Sequence, residues 1–293
     1  MEQHLSDERL LAIAAQYGTP VYVYNADKIG QQYQRLQTAF AGQQVRFFYA
    51  CKALTNPHVL QHVLQLGAGL DCSSINEVKM ALYAGARPQQ VLYTSNGIHF
   101  SEIQEAVALG VHINIDSLSH LRKFGQEYGH SYPVGIRLRP NIMAGGNLKI
   151  STGHDKSKFG IPVDQLPEIL QLVDELQLHI NCLHIHTGSE IKDVEVFVKG
   201  IEVLFDIIPH FKELDHIDLG GGFKVAYRQG EAVTDIEALA EAVGAAFASH
   251  PNPNGRQLEA RQIFCKRMWL PAGHGECAEG NQQCHICRHR YGL

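Results

Sequence analysis

Apolar residues fall in short, nearly unbroken runs, and behind each run the spacing changes to every third or fourth position. "VRFFYA" (45–50) opens the series, and "ADKIGQQYQRLQTAF" (26–40) before it has helical spacing. "GLDCSS", "QVLYTS", "HINIDS", "YPVGIRLRP", "INCLHIHTGS" and "LDHIDLGGG" follow as further strands. Between them, 57–68, 75–86, 100–110, 118–129, 163–177 and 193–211 read as amphipathic helices, and 235–250 as a last one. At the front, "LLAIAAQYG" (10–18) reads as a helix with a glycine stop and "TPVYVYN" (19–25) as a short strand. Strands that are apolar throughout, each followed by an amphipathic helix, predict a parallel sheet covered by helices.

From residue 45 onward the pattern holds seven such strands. A (β/α)8 barrel takes eight in a chain of ~250 residues. The alternative, a doubly wound sheet, usually shows a glycine fingerprint after its first strand. Here Lys52 follows the first strand instead. The reading is therefore an α/β chain built as a (β/α)8 barrel, with its eighth strand in doubt. The barrel is expected over residues 26–259, preceded by the helix and strand of residues 1–25 and followed by an aberrant tail, 260–293.

Composition narrows the function classes. The 293 residues are 45% hydrophobic with a formal charge of −5, enough to bury a large core. Lys and Arg are scattered rather than striped, which gives no footprint for nucleic acid. No apolar run approaches the ~18 residues of a membrane span. Residues 1–7 are polar, without a basic-then-apolar leader, so the expectation is a soluble, cytoplasmic protein. Of seven cysteines, Cys51, Cys72 and Cys182 sit singly in apolar strands, while Cys265, Cys277, Cys284 and Cys287 crowd into the tail.

Polar residues recur at the C-terminal ends of the strands: Lys52, Asp71, Ser95 and Asn96, Asp116, Arg137, His186 and Ser189, and Gly220 to Gly222. In a barrel those ends form one ring, where active sites are built. Each residue has a plain alternative. Asp71 and Asp116 can be helix N-caps, Asn96-Gly97 a turn, His186 a structural histidine, and Lys52 a snorkelling surface residue. The functional reading gives Lys52 the role of a nucleophile, since a partly buried amine attacks carbonyls to form imines. Three glycines after an apolar strand leave backbone N–H groups open to a phosphate. Gly188 and Ser189 can share that phosphate, and the His186 imidazole can stack on a flat ring. A Schiff-base lysine, a phosphate cradle and a stacking ring between them describe a site for pyridoxal 5′-phosphate (PLP).

"TPVYVYNADKI", "FFYACKAL", "GLDCSSINEV", "SKFGI", "HIHTGSEI" and "DLGGGFKV", in that order, resemble the fold-type III, alanine-racemase-like PLP-dependent decarboxylases over roughly residues 18–248. The resemblance implies a PLP-binding barrel. It implies that Lys52 carries PLP as an internal aldimine and that His186 stacks on the pyridine face. Ser189, Gly220, Gly221 and Gly222 match the phosphate site, and Asp71 and Arg137 match residues near the lysine and the ring. The implied reaction is loss of CO2 from a small amino-acid substrate, with meso-diaminopimelate giving L-lysine favoured. Carboxynorspermidine, ornithine and arginine are the neighbouring substrates.

The resemblance breaks at the end. The family places a Glu-Pro-Gly-Arg/Lys motif on strand eight, its glutamate pairing with the pyridine nitrogen. A β-domain then supplies a cysteine, an acidic residue and a tyrosine, partly across a homodimer interface. Here Glu259 is followed by "ARQIFCKRMWLPAGHGECAEGNQQCHICRHRYGL", with no clear period. Glu259 is the candidate for the missing glutamate, although the apolar residues expected before it are absent. Cys284-x-x-Cys287 with His289, Cys277 and His274 or His285 offers one reading of the tail, a zinc site on a non-catalytic chain. Another explains more. Codons permitted from Ala260 onward, read one base later, encode Pro-Gly-Lys-Phe-Phe-Val-Lys-Glu-Cys-Gly-Tyr-Leu-Leu-Val, which restores the motif and an alternating strand. A chain lacking strand eight and the β-domain is expected to be poorly stable, to lose its dimer contacts and to turn over little. The out-of-frame reading predicts that DNA across codons 257–262 encodes, one base shifted, Pro-Gly-Lys and then a domain bearing the Cys, the acid and the Tyr. An uninterrupted frame with no such domain downstream refutes it and leaves the zinc-bearing tail.

Overall fold

Small polar residues end one element and begin the next. Asn25, Asn56, Ser74, Ser117 and Asp235 each accept a hydrogen bond from a first-turn backbone N–H of the helix behind them, satisfying a donor with no partner inside the helix. In the computed structural model, residues 5–142, 153, 157–226 and 230–250 are described, together with the backbone of 259–264. The helices are α1 (Asp7–Tyr17), α2 (Ala26–Ala39), α3 (Pro57–Gln65), α4 (Ile75–Tyr83), α5 (Phe100–Ala108), α6 (Leu118–Tyr128), α7 (Leu166–Leu176), α8 (Val194–Ile207) and α9 (Ile236–Ser249). They follow the sequence pattern. The stretch 19–25 does not: it pairs with no strand among the described residues, and Tyr22 is 72% exposed.

The strands are β1 (Val45–Ala50), β2 (Gly69–Cys72), β3 (Val91–Thr94), β4 (His112–Ile115), β5 (Val134–Arg139), the two-residue β6 (Ile161–Pro162), β7 (Ile180–Ile185), β8 (His216–Asp218) and β9 (Glu259–Phe264). Each pairs parallel with its neighbour, and β4 also pairs β5, so the sheet returns on itself. The eighth staff of this (β/α)8 barrel is β9, lying between β8 and β1. The sequence leaves that strand in doubt because "EARQIF" lacks an apolar run. The backbone nevertheless supplies ladder partners for both flanking strands, which would otherwise present open edges. Residues 265–293, with the four tail cysteines, lie outside the described residues.

Closure sorts the strand residues by parity. Phe47, Tyr49, Leu70, Val91, Tyr93, Ile113, Ile115, Ile136, Leu138, Leu183, Ile185 and Ile217 join the large core between the sheet and the helices. The alternate positions face the lumen. Phe48, Ala50 and Leu92 form a small separate apolar cluster there, and the buried Asp71, Asn114, Arg137, His184, His216 and Asp218 share its parity. Helices α2 to α9 each present a buried stripe to the outer core, as Ile29, Tyr33 and Leu36 do on α2, whereas α1 buries none of its residues.

Glycine makes the lumen possible at two points. A β-carbon on Gly69 would lie 2.5 Å from the Phe48 ring, and one on Gly135 would lie 2.0 Å from Asn114 Oδ1 and 3.0 Å from Cys182 Cβ. Gly135→Ala is expected to lower the unfolding free energy by about 1–3 kcal/mol, as overpacking does. In an Asn114→Ala background the same change should cost less, because the clashing atom is gone. Urea melts of the four proteins test this, and an equal cost in both backgrounds would refute it.

Candidate active site

The C-terminal ends of the strands bring most of the predicted residues together. After Ala50 the chain makes one 3-10 turn, Cys51–Ala53, which carries Lys52 at the mouth of the barrel. Lys52 is exposed there, so it is not the partly buried amine the sequence suggested. Its electrostatic neighbours include Asp71, at the end of β2, and His186, just after β7.

Asp71 and Asp116 are not helix caps. Ser74 caps α4 and Ser117 caps α6, which leaves both carboxylates to the ring. Asp71 is buried, and its Oδ1 has no hydrogen-bond partner among the described residues. Burial raises its pKa to about 7, with the Lys52 ammonium opposing and Asp218 and Glu77 adding to the rise. Asp116 accepts a hydrogen bond from the Asn96 amide, which also donates to the Lys158 carbonyl at 3.1 Å.

Arg137 is buried on β5. Burial pulls its guanidinium down from its ordinary value, and the fields of Asp116, Asp71 and Asp218 oppose that pull. Its Cζ lies 4.8 Å from the centre of the Phe159 ring, a cation–π contact that replaces part of the lost hydration. Phe159 is placed by Gly160 (φ +74°), where a β-carbon would lie 3.1 Å from the Leu138 carbonyl carbon, and by Ile161, which pairs with Leu138. The "SKFGI" motif thus folds under Arg137.

His186 is half-buried. Burial first, and then the positive charges of Lys52 and Arg137, push its imidazole well below the ordinary histidine value, so it is neutral at pH 7. The Gly221 N–H donates to Nδ1 at 3.4 Å, which leaves the ring proton on Nε2. Gly220 and Gly222 hold left-handed φ values of +65° and +101°. A β-carbon on Gly222 would lie 2.0 Å from the Gly188 carbonyl oxygen and 3.3 Å from Ser189 Cα. The Ile191 N–H donates to the Gly222 carbonyl at 2.8 Å. The two loops after β7 and β8 therefore lie backbone against backbone, with the half-buried Ser189 beside the glycines.

Asp218 and His184, absent from the predicted set, organise this region. Asp218 Oδ1 accepts from the Gly220 N–H at 2.8 Å, and its Oδ2 lies 2.8 Å from His184 Nδ1 and 3.5 Å from the Asn114 amide nitrogen. The signal was present as spacing: each stands two residues before a predicted site residue, Gly220 and His186, near the end of its strand.

Glu259 is not brought to the ring. Its backbone is level with His216, and Ala260 with Val45. This is the N-terminal end of the barrel, roughly 17 Å along β1 from the end that carries Lys52, at ~3.3 Å per residue. As a partner for a pyridine ring beside Lys52, it stands at the wrong end of its strand.

Residues 26–260 match the pyridoxal-dependent decarboxylase pyridoxal binding domain. The chain belongs to this family. It is 36% identical over 242 residues to a diaminopimelate decarboxylase of Methanothermobacter thermautotrophicus, covering 80% of this chain and 56% of that protein. With the Pseudomonas aeruginosa diaminopimelate decarboxylase it shares 34% identity over 228 residues, 75% of this chain and 55% of that one. The chain thus spans little more than half the length of these relatives. Among solved structures, diaminopimelate decarboxylase from Helicobacter pylori complexed with L-lysine superposes with a TM-score of 0.76 at 28% identity, covering 87% of this chain and 65% of that one.

The family's cofactor is PLP, and the ring fits it on two observations of the fold. Asp71 Oδ1 is a buried acceptor with no partner among the described residues, close to an exposed amine. The paired glycine loops lie so close that a β-carbon at Gly222 would strike the Gly188 carbonyl, which keeps this rim bare backbone of the kind that holds a phosphate. No helix among the described residues is long and apolar enough to cross a membrane.

The raised Asp71 carboxyl carries a signed pH dependence. The folded state binds its proton up to about pH 7, while an unfolded Asp releases it near 3.9. Its contribution to stability is thus fully present below the unfolded value, is lost as pH rises towards 7, and is constant above that. Asp71→Asn cannot ionise. Thermal melts should show this variant gaining on the parent protein between about pH 4 and about pH 7, and a constant difference across that window would refute the assignment.

Proposed function

We propose that this barrel is the cofactor-binding part of a PLP-dependent carboxy-lyase acting on meso-diaminopimelate to give L-lysine. The observation that carries the reading is one exposed amine, Lys52, at the mouth of the barrel beside Asp71, with the glycine cradle after β7 and β8 on the same rim. The named activity of the Methanothermobacter and Pseudomonas relatives supports the substrate, as does the lysine bound in the Helicobacter structure.

When bound, PLP supplies an electron sink that takes up the electron pair released as the substrate's carboxylate leaves as CO2. Lys52 would hold the cofactor's carbonyl carbon through Nζ. Ser189 and the backbone of Gly220, Gly221 and Gly222 would hold its phosphate, and the neutral His186 ring would lie against its pyridine. A neutral imidazole adds no further positive charge beside Lys52 and Arg137. Asp71, held towards neutrality by burial, would add little negative charge beside the cofactor and Lys52. Asp218 does not touch the reacting atoms. It fixes the cradle by holding the Gly220 N–H.

Adding PLP to the purified chain should produce a long-wavelength absorption band. Borohydride reduction should then fix the label, by peptide mass, on Lys52. Lys52→Ala should lose both signals. A band that survives this substitution, or a label on another lysine, would remove Lys52 from its role.

A further inference from the structure

At the opposite end of the barrel from Lys52, three side chains with metal-binding atoms converge from separate loops. His130 lies in the turn that enters β5, His179 immediately precedes β7, and Glu213 lies in the loop that enters β8. One ligand atom from each lies within 4.8 Å of the others. His130 Nε2 is 3.2 Å from each Glu213 carboxylate oxygen. The His130 and His179 rings stack with centroids 4.9 Å apart and planes 15° from parallel.

The backbone carrying them is held. Gly129 (φ +51°) closes α6 and Gln177, in the left-handed region, closes α7, which sets the positions of His130 and His179. The His179 carbonyl accepts from the Val134 N–H at 2.9 Å, tying the entries to β5 and β7, and the Asp215 N–H donates to the Asn181 carbonyl at 3.0 Å, tying β8 to β7. His179 and Glu213 are half-buried, while His130 is exposed and able to turn.

We propose that His130, His179 and Glu213 bind a divalent first-row transition-metal ion, zinc in particular. Two imidazoles and one carboxylate are ligands this ion takes, with one tetrahedral position left for water. With ligand bonds of ~2.0–2.2 Å, atoms around a tetrahedral ion stand roughly 3.4 Å apart; His130 and Glu213, at 3.2 Å, already meet that spacing, and the set as a whole, within 4.8 Å, needs only a small inward shift. Bound metal would cross-link the loops entering three consecutive barrel strands. This site shares no residue with the PLP ring, so it stands or falls independently of the proposed function.

Cobalt(II) is the probe, because its absorption reports its ligands. The untagged full chain titrated with cobalt chloride should show one equivalent bound with tetrahedral visible bands and no thiolate-to-cobalt charge transfer. His130→Ala and His179→Ala should each weaken that binding at least about tenfold, and zinc should displace the cobalt. Any signal from the tail cysteines carries thiolate charge transfer and persists in both variants. Metal-free circular dichroism verifies that the variants fold, and Glu213→Gln supplies a third if either does not. Thiolate-type bands alone, or titrations unchanged by the substitutions, would overturn the proposal.

Discussion

A strand that faces helices on one side and a closed lumen on the other must divide its residues by parity, and most of what the barrel does follows from that division. The outer set carries the large apolar residues. Among the described residues the inner set carries Phe48, Ala50 and Leu92 as a small apolar cluster, while Asp71, Asn114, Arg137, His184, His216 and Asp218 make the rest of it largely polar. Buried polar groups need partners, so the inner set becomes a network. Asp218 meets His184, Asn114 and the Gly220 N–H, and Asn114 also reaches Thr94 at 3.1 Å. The glycine cradle is the upper edge of this network rather than a separate loop.

Charge at the rim is arranged around Arg137. Three carboxylates, those of Asp71, Asp116 and Asp218, contribute to its field, and Phe159 covers it. The same desolvation that weakens its hold on a proton keeps Asp71 protonated to about pH 7 and His186 neutral. Three unlike shifts thus share one cause, burial at the mouth, with neighbouring charges adjusting each one.

The helices were legible because their signals are local: a capping Asn, Ser or Asp, a stripe at helical spacing, a stop. The strands through β8, apart from the two-residue β6 that no apolar run announces, were legible as apolar runs, but reading them as apolar throughout hid the polar inner positions, His184 and Asp218 above all. Lys52, Asp71, Arg137, His186, Ser189 and the three glycines were visible as polar residues at strand ends. What the sequence did not carry was pairing at a distance. "TPVYVYN" alternates like a strand and finds no partner among the described residues, whereas "EARQIF" looks unlike a strand and lies in the ladder between β8 and β1. For Glu259 the register, which no local pattern sets, decides which end of the barrel it occupies.

The pairing of β1 with β9 joins Val45 to Ala260, about 215 residues later in the chain. On a ribosome adding ~5–20 residues per second, β1 waits roughly 10–40 s for its second neighbour to be made. Through that interval one side of β1 offers unsatisfied N–H and C=O groups to whatever chain is nearby. Closure is also a contact of high sequence separation, which slows folding. The nascent barrel is therefore an open sheet for most of its synthesis, and that interval is when it is most exposed to chaperones and to self-association.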